Sequence, residues 1–238
     1  MKLPFQETFE ARRTRRALPP ALREQLRRLR RRIRATHVMD QPLALARFVA
    51  IDLETTGPDM HRDRIIAIGA VAVTDRAVQH GDAFEALVRQ RESSRVDNIL
   101  IHRIGGQEQL SGSDPVESLA ACLEFLGASP AVAFRAEFDA AVLHRELRGW
   151  LGLRSTTRFI DLACILPALF PGTPHDSLDD WAGHFGLPPI GRHHAVADAY
   201  ANAQLLMLAL EKAQRLGMDR TRDLFELERA QRWLGRRR

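Results

Sequence analysis

Phe48-Val49-Ala50-Ile51-Asp52-Leu53-Glu54-Thr55-Thr56-Gly57 is the stretch on which the fold turns. Its apolar run, Phe48 to Leu53, reads as a buried strand that ends in polar residues. Side chains alternate along a strand, so Asp52 and Glu54, two apart, point to one face. Two carboxylates side by side repel each other and are costly to desolvate. A divalent cation removes that cost, and ligands that offer only oxygen suit magnesium or manganese. The other reading is a strand end reaching water with two ordinary acids.

Outward from this strand the texture stays regular. Ile65 to Val73 is a second apolar run, Thr74-Asp75-Arg76 a turn, and Val78 to Val88 a third strand region. Asp114-Pro115 opens a helix to about Leu126, with aspartate at the N-cap and proline at the first position. Ala131 to Phe134 is a short strand, Phe138 to Trp150 a helix, Arg158 to Ile160 a strand and Leu162 to Leu169 a helix. Asp176 or Ser177 caps a helix through Phe185, with Gly186 past its end. Ala195 to about Leu216 is a long helix rich in alanine and leucine, and Leu224, Leu227 and Leu234 mark a last one. Three strands in succession, then alternating helices and strands, indicate an α/β domain with a mixed sheet.

Two further acids stand out. Asp198 interrupts the alanine-rich face of the long helix, four residues after His194 and five after His193. If all three are helical, His194 shares the face of Asp198. If the helix begins only near His194, His193 lies on the turn before it and reaches the same place, and spacing does not choose between them. Asp139 falls near the start of a helix, where an acid also suits the helix dipole without any ligand.

In order and spacing these segments resemble the DEDD exonuclease superfamily, in the branch related to the proofreading epsilon subunit of DNA polymerase III and to ribonuclease T. Asp52-Leu53-Glu54 matches its first motif, Asp139 its second, and His193-His194-Ala195-Val196-Ala197-Asp198 the final motif of its histidine branch. The resemblance covers roughly Arg47 to Leu210. It implies a ribonuclease H-like mixed sheet flanked by helices, and 3′–5′ hydrolysis of nucleic acid, DNA favoured, that releases nucleoside monophosphates. It implies two divalent ions, Mg²⁺ or Mn²⁺, held by Asp52, Glu54, Asp139 and Asp198, with His193 as the base and His194 as a neighbour. Thr55, Thr56 and Gly57 would line the terminal nucleotide of a single-stranded 3′ end. Ile101-His102-Arg103-Ile104 looks like a further family element, which places Ile101 and His102 near that nucleotide. Where relatives commonly carry His-Asn before the second motif, this chain has Phe134-Arg135, and Arg135 is read either as a phosphate contact or as a residue tolerated at the cleft edge. Proofreading beside a polymerase, free DNA repair, RNA turnover and a non-catalytic binding module on the same fold all remain open.

Composition bounds the rest. With 238 residues, 45% hydrophobic and 27% charged, the chain is neither disordered nor fibrous. No run of about 18 apolar residues exists, so no membrane partner is expected. Cys122 and Cys164 are too few for a disulfide scaffold and too isolated for zinc, which suits a cytoplasmic protein. The net charge of +5 is uneven: 13 basic and 4 acidic residues in 1–50, 13 and 21 in 51–210, and 9 and 5 in 211–238. Roughly 100–200 residues per domain is usual. The expected division is a basic helical extension over 1–45, an exonuclease domain over 46–215, and a helix with a basic tail over 216–238. In the extension, Leu22, Leu26, Leu29 and Ile33 form one helical stripe among seven arginines, with Pro19 and Pro20 at its start. That helix is read either as an arm for nucleic acid or a polymerase, or as a solvated helix laid on the domain by its leucines. A histidine–aspartate phosphohydrolase, suggested by His175-Asp176, is disfavoured because such folds are helical throughout. A Rossmann domain lacks its glycine fingerprint here.

Overall fold

A computed structural model describes residues 18–172, 175–188 and 194–235. At its centre is strand β1, Phe48–Thr55, with β2, Ile65–Thr74, and β3, Ala77–Leu87, antiparallel on one side. On the other side β4, Ala131–Ala133, and β5, Phe159–Asp161, run parallel to it, which gives the order β3-β2-β1-β4-β5. The β2–β3 turn forms as a two-residue hairpin because Asp75 and Arg76 both adopt positive φ, 52° and 56°. This conformation matches the twist of the paired strands.

The pleat of β1 sorts its side chains into two cores. Val49, Ile51 and Leu53 pack against α4, Pro115–Leu126, and α5, Glu137–Leu151. Phe48 and Ala50 pack on the opposite face against α6, Leu162–Leu169, and α8, Ala195–Arg215. By the same alternation Asp52 and Glu54 fall on the α8 face. Asp114 caps α4 through Val116 N–H with Pro115 in its first turn, as the sequence predicts. Ser177, rather than Asp176, caps the short helix α7, Leu178–His184.

The N-terminal helix α1, Pro20–Ala35, lies on the α4–α5 core by its apolar stripe, with Leu26 and Leu29 buried and Leu22 and Ile33 against them. Burying two such leucines contributes about 1.5–3 kcal/mol each. Its arginines stay mostly exposed, and Glu24 pairs with Arg27, Arg28 and Arg31. The C-terminal helix α9, Thr221–Gly235, seats Leu224 in the core beside α6. Two short helices went unread in the sequence: α2, Val96–His102, and α3, Gly106–Ser111. Neither is long enough to display an apolar period. Among the described residues no helix is long and apolar enough to cross a membrane.

Candidate active site

The cluster is built where β1 ends and α8 begins. Asp52 stands opposite Gly69 of β2, and the first turn of α8 rests on that glycine. A Cβ on Gly69 would lie 2.0 Å from the carbonyl carbon of Ala195 and 2.2 Å from the nitrogen of Val196. Only a residue without a side chain lets the helix come this close. One turn into α8, Asp198 then meets the strand. Asp52, Glu54 and Asp198 each offer an oxygen within 4.8 Å of the others, and Asp198 is buried. Asn202, fully buried one turn further on, donates from Nδ2 to the carbonyl of Ile51 at 3.3 Å and ties the helix to β1 beside Asp52.

Asp139 approaches from the other side, in the first turn of α5. It is 7% exposed, and its carboxylate accepts the backbone N–H of Leu53, the residue between Asp52 and Glu54. Burial pushes its pKa up to about 7, against two backbone N–H donors that lower it, and the charges of Asp161 and Glu54 add to the rise. All four predicted carboxylates therefore gather around the end of β1.

His193 lies outside the described residues. His194 is the N-cap of α8, so the helix starts at Ala195 and the reading with both histidines helical does not hold. Its Nε2 is 3.5 Å from Glu85 Oε1 of β3, which sits across Gly69 from Asp52.

The Thr55–Gly57 segment is held from several sides. Thr55 Oγ1 donates to the carbonyl of Gly57 at 2.7 Å, and its own carbonyl accepts from Asn98 of α2 at 2.6 Å. Thr56 Oγ1 donates to Asp63 at 2.8 Å, and a Cβ on Gly57 would collide with that same carboxylate. Arg145 of α5 donates to the carbonyls of Met60 and Asp63, which fastens the loop to the helix that carries Asp139.

His102 is 2% exposed, with Nδ1 accepting from Ile104 N–H at 3.0 Å and Nε2 3.4 Å from Ser94 Oγ, and burial lowers its pKa. Ile101 is exposed. Arg135 is exposed at φ 57°, with its N–H on Asp161 Oδ1 and its guanidinium on the carbonyl of Asp176, both at 2.9 Å. The ring of His175 stacks edge-on to Trp181, and the sheet removes the all-helical phosphohydrolase.

Sequence reasoning missed Gly69, Asn202, Asp161 and Arg145. A glycine inside an apolar strand marks a close approach, and an asparagine four residues past Asp198 breaks an alanine-rich face. Both signals were available, whereas the partners of Asp161 and Arg145 lie far away in the chain.

As donors, Asp52, Glu54 and Asp198 fit a hard divalent cation: oxygen only, within 4.8 Å of one another, and partly withdrawn from water. Fold and site define a nuclease domain with its acids on the central strand and on two helices that flank it. A profile of the RNase T exonuclease family matches residues 49–206, and the chain belongs to that family. DEDD exonucleases of this kind depend on metal ions. A PolC-type DNA polymerase III from Thermotoga petrophila is 30% identical over 195 residues, which are 79% of this chain and 14% of the relative. The DNA polymerase III epsilon subunit of Aquifex aeolicus is 27% identical over 173 residues, 69% of this chain and 81% of the subunit. Escherichia coli exonuclease I, solved with a dT13 oligonucleotide, superposes with a TM-score of 0.61 at 19% identity, over 72% of this chain and 42% of its own, and shares the ribonuclease H-like fold. The chain thus spans only a part of the PolC-type relatives and of exonuclease I.

Proposed function

We propose that the domain is a 3′–5′ exonuclease that removes nucleoside monophosphates from the 3′ end of a nucleic acid strand, with DNA as the preferred substrate. The observation that carries this is the grouping of Asp52, Glu54 and Asp198, with Asp139 on the backbone between the first two. Asp52 would contact two ions, Mg²⁺ or Mn²⁺, with Glu54 and Asp198 completing the shell of one and Asp139 holding the other directly or through water. Two such ions supply Lewis acidity to the attacking and leaving oxygens of an in-line displacement.

The rest falls to the chain itself. His193, five residues before Asp198, would take the proton from the attacking water, since an imidazole titrates near pH ~6.5. The engagement of His194 with Glu85 supports giving that role to His193. The backbone of Thr55, Thr56 and Gly57 would border the terminal nucleotide, with their hydroxyl and Cα environment already fixed by the loop. Ile101 would offer an apolar surface, His102 would hold the α2 segment in shape from inside, and Arg135 would stand at the rim toward a phosphate. The polymerase relatives and the oligonucleotide bound to exonuclease I support a DNA strand as substrate. The arginine face of α1 would contact a polymerase or a more distant part of the strand. The division at 45 and 215 and a cytoplasmic location belong to the same proposal.

The test is digestion of 5′-labelled single- and double-stranded DNA and RNA with Mg²⁺, Mn²⁺ or chelator. The expected result is a ladder of products shortened from the 3′ end, abolished by chelator and by Asp52→Ala or Asp198→Ala. Hydrolysis that survives either substitution would refute the assignment, and no release with either ion would leave a binding module.

A further inference from the structure

Asp161, the last residue of β5, is a buried carboxylate that joins three elements. Its Oδ1 accepts the N–H of Arg135 at 2.9 Å and of Ala163 at 3.0 Å. Its Oδ2 accepts from Arg232 Nη2 of α9 at 3.2 Å. Arg135 occupies the left-handed region, which a residue with a side chain adopts only when its surroundings hold it there. Two residues later α5 begins, with Asp139 in its first turn. The bond from the Arg135 amide to Asp161 therefore sets where α5 starts and where Asp139 points.

Arg232 is what keeps Asp161 in that role. It also holds Glu228, another buried acid, at 2.8 Å, and stands 3.9 Å from Glu137 at the head of α5. Without the guanidinium, two buried acids would face each other beside Asp139 with no counter-charge from α9. A buried carboxylate left without its cation turns toward water, and that turn loosens its hold on Arg135 N–H. Arg232 lies beyond residue 206, where the family match ends.

We propose that Arg232 is a positioning residue for the catalytic centre, acting through Asp161 and the Arg135 turn to aim Asp139. This rests on the reading of Asp139 as a metal ligand. Partners one shell out from a ligand typically govern about 10–100-fold in metal affinity or activity.

The test uses the full chain with Arg232→Met, which keeps the apolar stem and removes the charge, and Arg232→Lys, which restores the charge. Mn²⁺ binding without substrate is read by the loss of the free-ion electron paramagnetic resonance signal, and kcat and KM are read on a 5′-labelled single strand. Arg232→Met is expected to weaken Mn²⁺ binding by about 10-fold and lower kcat with KM for the strand unchanged, and Arg232→Lys to recover most of both. Should Arg232→Met not fold, Arg232→Gln, which keeps a donor at the place of Nε beside Glu228 but loses the charge and the reach to Asp161, takes its place with the same losses expected. A folded variant with wild-type Mn²⁺ affinity and kcat overturns the proposal while leaving the exonuclease reading intact. A wild-type chain that neither binds Mn²⁺ nor cleaves overturns both.

Discussion

Gly69→Ala is the substitution for which the geometry demands most from a single methyl group. The added carbon would stand 2.0 Å, 2.2 Å and 2.3 Å from the carbonyl carbon of Ala195, the nitrogen of Val196 and the oxygen of Ala195. Carbon contacts settle near about 3.5–4.0 Å. All three obstacles are backbone, so no rotamer relieves them, and the first turn of α8 must lift from β2 by roughly 1.5 Å to reach that spacing. Asp198 belongs to that same first turn and Asp52 is paired with Gly69, so the displacement opens the carboxylate group directly. A misplacement of about 1 Å at a reacting centre costs about 100-fold in rate. The fold itself loses about 1–3 kcal/mol to overpacking, partly offset by about 0.5–1 kcal/mol from replacing a flexible glycine. The expected result is a folded protein with kcat on a labelled single strand down by about 100-fold or more and a higher Mn²⁺ requirement. Gly81→Ala on β3 is the control, since a Cβ there meets nothing within 4 Å. A folded Gly69→Ala protein with the kcat and Mn²⁺ requirement of Gly81→Ala would refute the docking of α8 on this glycine.

The remaining predictions concern histidines. His193→Ala should cost far more activity than His194→Ala, whose loss removes an exposed pairing with Glu85, and equal losses would overturn the choice of base. His144 of α5 has its pKa lowered, first by burial, and its Nε2 is buried with no partner among the described residues, so it folds neutral. Its unfolded form takes up a proton as pH falls through ~6.5 while the folded form resists, so stability is full above that pH and falls below it. Urea denaturation at pH 7.5 and 5.5 should show a smaller acid loss for His144→Gln than for wild type, and an identical loss would contradict the assignment.

Local pattern made most of the fold legible. The apolar runs of β1 and β2 and the Asp114-Pro115 cap are signals contained in a few adjacent residues, and the structure places them as read. The helices α2 and α3 were not legible, because seven and six residues cannot declare a period. The leucine stripe of α1 left a packed helix and a binding arm both open, and nothing local said which core would receive it. At the site, Asp52 and Glu54 were tied together by strand alternation alone, while Asp198 and Asp139 needed the order of motifs. Arg135 shows the limit most clearly. Its sequence context suggested a phosphate contact, but its positive φ and its bond to Asp161 depend on a residue 26 positions away.

The cluster also explains why so much of the architecture converges on one strand end. Two unit charges 4.8 Å apart at an effective dielectric of about 20 repel by about 3.5 kcal/mol. Three such pairs come to about 10 kcal/mol, comparable with the whole stability of a domain at about 5–15 kcal/mol. Acids on free loops would simply separate. Here Asp52 and Glu54 cannot, since β1 is hydrogen-bonded on both sides and its preceding residues are fully buried. Asp198 cannot, since Gly69 and Asn202 hold α8 against that strand. Asp139 differs: burial, with the charges of Asp161 and Glu54 adding to it, pushes its carboxyl up to about 7. In the proposed function protons and divalent ions would compete for one set of oxygens, and a bound cation would turn a self-repelling group into one that attracts a phosphodiester.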